Sequence, residues 1–221
     1  MKYVMRNESG LEFNFTSNGS LYSIKIKHIL VNLYIGNELE ASIANFYLRV
    51  FSEFGETIYP LFGPNANTKF EISESKYLGE GIVDSLHYQF IFSLHPVLLS
   101  WSYSIQIKNL SNQSARFQFV YTQDLGLCDY QSSRLNEFFV SHYIHHEILE
   151  TKENGYLILS RQNEPVSGYH PACLLFSNKP VTSFATDALD IFENRNLKKF
   201  PSKRKQGEHS VIGLGGEIII R

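Results

Sequence analysis

The sequence predicts an all-β protein, a large antiparallel β-sandwich, and three observations lead there. Aromatic residues make up 14% of the 221 positions, with 17 Phe and 13 Tyr against one Trp, and such rings favour a pleated surface. Long runs alternate apolar and polar residues with period two, as strands with one buried face do. Helical periodicity is weak outside 132–150. A hydrophobic share of 43% and a charged share of 19% belong to a globular chain rather than a disordered one. A chain of this length buries roughly 70% of its unfolded surface.

The elements follow in order. Tyr22-Ser23-Ile24-Lys25-Ile26-Lys27 alternates as a strand with one wet face. A loop is expected near Phe62-Gly63-Pro64-Asn65-Ala66-Asn67. Leu86, Tyr88, Phe90, Phe92 and Leu94 occupy alternate positions until Pro96 interrupts them. Trp101, Tyr103, Ile105 and Ile107 then alternate with Ser102, Ser104, Gln106 and Lys108. Asn109-Leu110-Ser111-Asn112-Gln113-Ser114 is a turn cluster, after which Phe117, Phe119 and Tyr121 resume the pattern. These three runs predict a meander of long antiparallel strands. A second loop falls at Asn163-Glu164-Pro165, and Gly213-Leu214-Gly215-Gly216 reads as a loop before a terminal strand, Glu217–Arg221. Without repeat, linker or low-complexity tract, one sandwich domain over 1–221 is the simplest organisation.

Charge and composition exclude several functions. A net charge of −2 and a pI near 6.4 give no basic field for nucleic acid or anionic lipid. The basic cluster Lys198, Lys199, Lys203, Arg204 and Lys205 is broken by Phe200 and Pro201 and reads as a solvated loop. No stretch approaches the roughly 18 apolar residues of a membrane span. The first residues lack the apolar core of a secretory signal, so the glycosylation patterns at Asn14 and Asn18 carry no weight and the cytoplasm is the expected compartment. Cys128 and Cys173 show no metal or disulfide spacing.

Candidate chemistry is sparse. On a helix His142, His146 and Glu150 would share a face and could offer three zinc ligands. On a strand the two histidines would lie about 13 Å apart at roughly 3.3 Å per residue, too far for one ion. Asp124 and Asp129 flank Leu125-Gly126-Leu127-Cys128 and offer a carboxylate pair, although Asp and Gly are ordinary turn residues at a strand end. Serine and histidine are present, but no Gly-x-Ser-x-Gly elbow is. Gln123, Asp124, Arg134, Asn136, Glu137, Arg161, Gln162 and Asn163 form a richer polar set. Planar amides, guanidinium groups and carboxylates present paired donors or acceptors to sugar hydroxyls. The same groups equally serve to satisfy backbone in long loops.

Three ordered stretches carry a family resemblance: Tyr121–Leu127 with Gln123-Asp124-Leu125-Gly126, Arg134–His146 with Asn136-Glu137, and Gly155–Asn163 ending Ser160-Arg161-Gln162-Asn163. Pro201-Ser202 and Gln206-Gly207-Glu208 resemble the close of the same domain. The series resembles the N-terminal domain of inverting β-glucan phosphorylases, the cellobiose and especially the β-1,3-oligoglucan phosphorylases, over about 119–210. His142 stands where that pattern has Gln and His145 where it has Asp. These departures favour a strand over 138–146 and count against a zinc-binding helix.

The resemblance implies a galactose-mutarotase-like β-supersandwich that in the complete enzyme joins a helical (α/α) barrel. Such enzymes cleave a β-glucosidic bond with inorganic phosphate and invert the anomeric centre, using one carboxylic acid located in the barrel. The barrel is absent from this chain, so the sandwich alone is expected to be catalytically silent, with no catalytic residue, no metal and no cofactor. Its implied partners are a β-glucan oligosaccharide, the catalytic barrel and a second copy in a dimer; neither nucleic acid nor membrane is implied. A domain built to pack on a barrel should expose an apolar patch when isolated. Two other readings stay open. A stand-alone carbohydrate-binding module would need exposed coplanar aromatics. An enzyme in its own right would need Asp124, Asp129, Glu137 or a histidine to converge in one pocket.

Overall fold

A computed structural model describes residues 3–40, 42–193, 196–199, 201 and 210–220. Its content is 57% strand and 8% helix, as the period-two runs require. In chain order the strands begin with β1 (Tyr3–Arg6), β2 (Leu11–Phe15), β3 (Leu21–Ile26), β4 (Ile29–Leu30), β5 (Asn45–Ser52) and β6 (Gly55–Pro60). There follow β7 (Thr68–Ile72), β8 (Lys76–Val83), β9 (Leu86–Leu94), β10 (Trp101–Asn109), β11 (Ala115–Asp124) and β12 (Cys128–Asp129). Helices α1 (Tyr130–Leu135) and α2 (Glu137–His142) lead into β13 (Ile144–Thr151), β14 (Gly155–Gln162), β15 (Ala172–Leu175) and β16 (Ser183–Asp187). The last elements are α3 (Ala188–Ile191), β17 (Phe192–Glu193), β18 (Asn196–Leu197) and β19 (Ser210–Ile220). No helix among the described residues is long and apolar enough to cross a membrane.

The sandwich expectation, supersandwich included, is overturned. The strands are divided among four small antiparallel sheets and a two-stranded ribbon, rather than two large facing sheets, and no sheet exceeds five strands. Period two shows that a strand has a buried side, but not which strands share its sheet.

The chain divides into two compact units. Unit 1 comprises Met1–Lys27, Ile35–Gln118 and Glu217–Arg221. It holds the β1-β2-β3 meander, the β5-β6 hairpin and the β10-β9-β8-β7 sheet. In β9 the alternating residues Leu86, Tyr88, Phe90 and Phe92 are all buried, as their spacing predicts. They join an aromatic core in which Phe92 lies 4.7 Å from Phe13 and 4.9 Å from Tyr103 between ring centroids. The β9-β10 pairing of the expected meander is present from Trp101↔Leu94 to Asn109↔Leu86. β11, however, leaves it and takes its place between β19 and β5.

Unit 2 comprises His28–Tyr34 and Phe119–Gly216. It contains the β4-β12 ladder, the β13-β14-β15 sheet, the β17-β18 ribbon and the run β16-β19-β11. Here two further expectations fail. The glycine run at 213–216 lies within β19 rather than in a loop. A Cβ on Gly215 would overlap Val120 Cγ2 and lie 2.8 Å from Phe119 O, so glycine permits close approach to β11. Residues 138–142, expected as strand, belong to α2, and the strand starts only at Ile144. Asn136 explains the difference, because its Oδ1 accepts from Phe139 N at 3.1 Å and caps the helix. Of the expected closing stretch, Pro201 is buried, while Ser202 and Gln206-Gly207-Glu208 lie outside the described residues. Phe200, Lys203, Arg204 and Lys205 of the basic cluster lie outside them too.

Candidate functional site

The polar set picked from the sequence lies wholly within unit 2, and it separates into a buried group and an exposed group. Gln123, Asp124 and Gln162 are each 1% exposed. Asp124, at the end of β11, accepts hydrogen bonds at Oδ2 from the backbone N–H of Leu33 (2.9 Å) and of Tyr34 (2.8 Å). Two N–H groups aimed at one carboxylate oxygen supply what burial of that charge demands. Gln123 accepts from Tyr121 Oη at 2.8 Å and donates through Nε2 to Asp124 O at 2.8 Å. Gly126 N and Leu127 N both donate to Val31 O, at 2.8 and 3.3 Å. A Cβ on Gly126 would sit 3.1 Å from Asn32 O and 3.3 Å from Leu33 Cα, so the close passage of these segments needs glycine there. The Gln-Asp-Leu-Gly stretch is therefore a clamp on the 31–34 loop.

Gln162 closes the same assembly from β14. Its Nε2 donates to Gly126 O at 3.1 Å and Val140 O at 3.2 Å, and its Oε1 accepts from Glu164 N at 3.0 Å. One amide thus ties the turn after β11, the helix α2 and the loop after β14. Leu33, Cys128, Val140 and Val166 form a buried apolar cluster, with Ile29 and Tyr34 packed against it.

The remaining five residues reach the surface. Arg134, Asn136, Arg161 and Asn163 are exposed and Glu137 is half-buried. Arg161 Nε donates to Asn163 Oδ1 at 3.2 Å, and the Asn163 N–H donates to Tyr143 O at 2.8 Å. Asn136 caps α2 as described. The sequence missed the apolar residues interleaved with them. Tyr130, Leu135, Phe138, Phe139 and Tyr143 are exposed, Leu135 by 86%. The Phe139 and Tyr143 rings pack against each other, tilted by 52°, with 4.7 Å between centroids. The signal available was the pair of capping residues, Asp129 and Asn136, the second of them ahead of the apolar run Phe138-Phe139-Val140.

The carboxylate pair is not assembled for catalysis. Asp129 caps α1, accepting from Ser132 N at 2.9 Å and Ser132 Oγ at 2.7 Å. The serine hydroxyl, and then its backbone N–H, hold this carboxyl below its usual range, so it is anionic at neutral pH and no general acid. Asp124 is occupied by the 33–34 backbone. The histidines separate as well. His142 ends α2 and is exposed, while His146 is buried on β13, its Nδ1 2.9 Å from Ser160 Oγ and its Nε2 3.3 Å from Ser210 Oγ. Among the described residues no group of three or more His, Cys, Asp or Glu could hold a metal ion.

Burial pushes the Cys128 thiol up to about 12 and Cys173 to about 11. Neither is a thiolate at neutral pH, so alkylation of the native chain at pH 7 should be slow and should accelerate on unfolding. The linked stability change has a definite sign. An unfolded thiol ionises near about 8.5, whereas the folded thiols keep their protons to higher pH. Stability from these groups is therefore complete below about pH 8.5 and falls as pH rises towards the folded values. Melting temperatures across that range should decline, and Cys128→Ser should reduce the decline; a flat profile would contradict the burial.

Fold and site together define an all-β type of domain, with internally satisfied clamps and an aromatic surface patch. A model of the SOGP N-terminal domain matches residues 14–219, so the chain belongs to that family. It is also similar to the 1,2-beta-oligoglucan phosphorylase of Listeria innocua, at 29% identity over 96% of this chain. The match covers 20% of that protein, so the chain spans about a fifth of the length of the curated relative. The stretch matched is the relative's N-terminal part.

Proposed function

We propose that this chain is the non-catalytic N-terminal domain of a phosphorylase acting on β-glucan oligosaccharides, and that it packs against the catalytic portion of that enzyme. The observation that carries the reading is the exposed aromatic patch on α1 and α2. Tyr130 is 53%, Phe138 50% and Phe139 49% exposed, and apolar patches rimmed by polar groups mark interaction surfaces. Arg134, Glu137, Arg161 and Asn163 supply that rim. The patch grows from one of the three stretches that resemble the phosphorylases. In this reading the five surface residues of the polar set face the saccharide cleft at the edge of the interface, and Gln123, Asp124 and Gln162 hold their loops in place. The relative's length supports a large remaining portion for the patch to meet.

Light scattering on the isolated chain tests the patch first. The expected result is self-association that Phe138→Asp with Phe139→Asp reduces. Mixing with the separately expressed catalytic portion of the same enzyme should then give phosphate-dependent glucan cleavage. The double substitution should weaken that association by about tenfold or more, since buried aromatic anchors dominate interfaces. A strictly monomeric chain, or activity indifferent to the substitutions, would sink the proposal.

A further inference from the structure

The outward face of the β10-β9-β8-β7 sheet in unit 1 carries a groove of about 460 Å³, far along the chain from the polar set described above. Strand register arranges its side chains in two rows. One runs Lys69↔Glu80↔Gln89↔Gln106 and the other Glu71↔Leu78↔Ile91↔Ser104. Four strands at the usual spacing make each row about 14 Å long. We propose that this groove is a binding site for a neutral glucose oligosaccharide. The proposal rests on the reading of the chain as part of a glucan phosphorylase.

Hydrogen-bonding capacity is the first argument. Lys69, Glu71, Ser104 and Gln106 have no side-chain hydrogen bond or ion pair among the described residues. Gln89 Nε2 donates to Glu80 Oε2 at 3.1 Å, which orders both side chains and leaves the Gln89 carbonyl as an acceptor. The two rows together therefore offer two amides, an ammonium group, a hydroxyl and two carboxylates to a ligand that both donates and accepts, as sugar hydroxyls do. The second argument is the neighbouring aliphatic step. Leu78 and Ile91 are cross-strand partners, 39% and 44% exposed, and suit the C–H face of a pyranose.

Charge narrows the class further. Lys69 stands opposite Glu80, with Glu71 beside them, so the groove has no cationic cluster for a phosphate. The floor of the groove is the face of the sheet, where the backbone of β8 and β9 is already paired on both sides. A peptide strand could therefore add only at the outer edges of β7 and β10 and not in the groove itself. Two aliphatic residues are too few for the core of a protein interface. The platform beneath is rigid: Tyr77, Phe90 and Phe92 are at most 1% exposed, and the Phe90 ring fills the place of a Cβ at Gly79. Such preorganisation reduces the ordering cost of binding.

The test is a calorimetric or NMR titration of the whole 221-residue chain with β-1,2-linked glucotetraose. Saturable binding is expected, weakened about tenfold by Gln89→Ala with Gln106→Ala, as for the loss of one or two net hydrogen bonds. Gln106→Ala alone should show part of the loss, and Phe54→Ala, at an exposed turn outside the groove, should show none. Because the ligand is titrated against this chain alone, failure to join a catalytic portion does not enter the result. Absence of saturable binding, or equal affinity in the double variant, would overturn the groove assignment.

Discussion

Asp124→Ala is expected to destabilise the chain by about 4 kcal/mol, among the largest effects of any single polar substitution here. The carboxylate accepts the Leu33 and Tyr34 N–H groups at 2.9 and 2.8 Å. Its removal leaves both donors without their partner, at about 1–3 kcal/mol each. Asp124→Asn keeps an oxygen acceptor and should lose roughly half as much, because a charge-assisted bond is about twice as strong as a neutral one. Urea unfolding followed by fluorescence measures both. A change below about 1 kcal/mol for Asp124→Ala would show that the 31–34 loop does not depend on this clamp.

Phe92→Ala should cost a similar amount for an apolar reason. Phe92 is fully buried, with ring centroids of Phe13, Tyr103 and Phe15 at 4.7, 4.9 and 5.7 Å. Truncation removes the transfer energy of the ring and leaves a cavity that rigid aromatic neighbours cannot fill, for a loss of about 3–5 kcal/mol. Lys108→Ala on the outward side of the same sheet should stay within about 0.5 kcal/mol. The contrast checks that the buried and exposed sides of the sheet are as the register assigns them. Equal effects for the two substitutions would refute it.

The strands with long alternation were legible because each turns one face to the core, and β9 shows this most plainly. Sheet membership was not legible. Phe117, Phe119 and Tyr121 mark β11 as a strand, yet nothing in their spacing says that it pairs away from β10. Helical periodicity over 132–150 is legible, but the departure of His142 and His145 from the phosphorylase pattern favours a strand over 138–146, where the structure has α2 up to His142. Two capping residues, Asp129 and Asn136, outweigh that departure locally. Gln123, Asp124 and Gln162 were identified as conspicuous, but not for the role they take. The partners of Asp124 lie 90 and 91 positions away, and those of Gln162 are backbone carbonyls whose sequence carries no sign of them. Cross-chain backbone partners of this kind are set by topology alone.

The composition of unit 1 has a consequence for how the chain is made. Its final piece, Glu217–Arg221, arrives long after Gln118. Arg116 pairs with Glu217 through Nε at 2.8 Å, and Asn109 Nδ2 donates to Ile220 O at 3.5 Å. On a ribosome the last piece emerges roughly 100 residues later, about 5–20 s at ordinary synthesis rates. Throughout that interval the growing polypeptide holds β11 without the strand that completes its pairing. An open sheet edge attracts stray strands, so chaperone demand during translation should be concentrated there, and slowing the ribosome over 119–216 should lower the soluble yield.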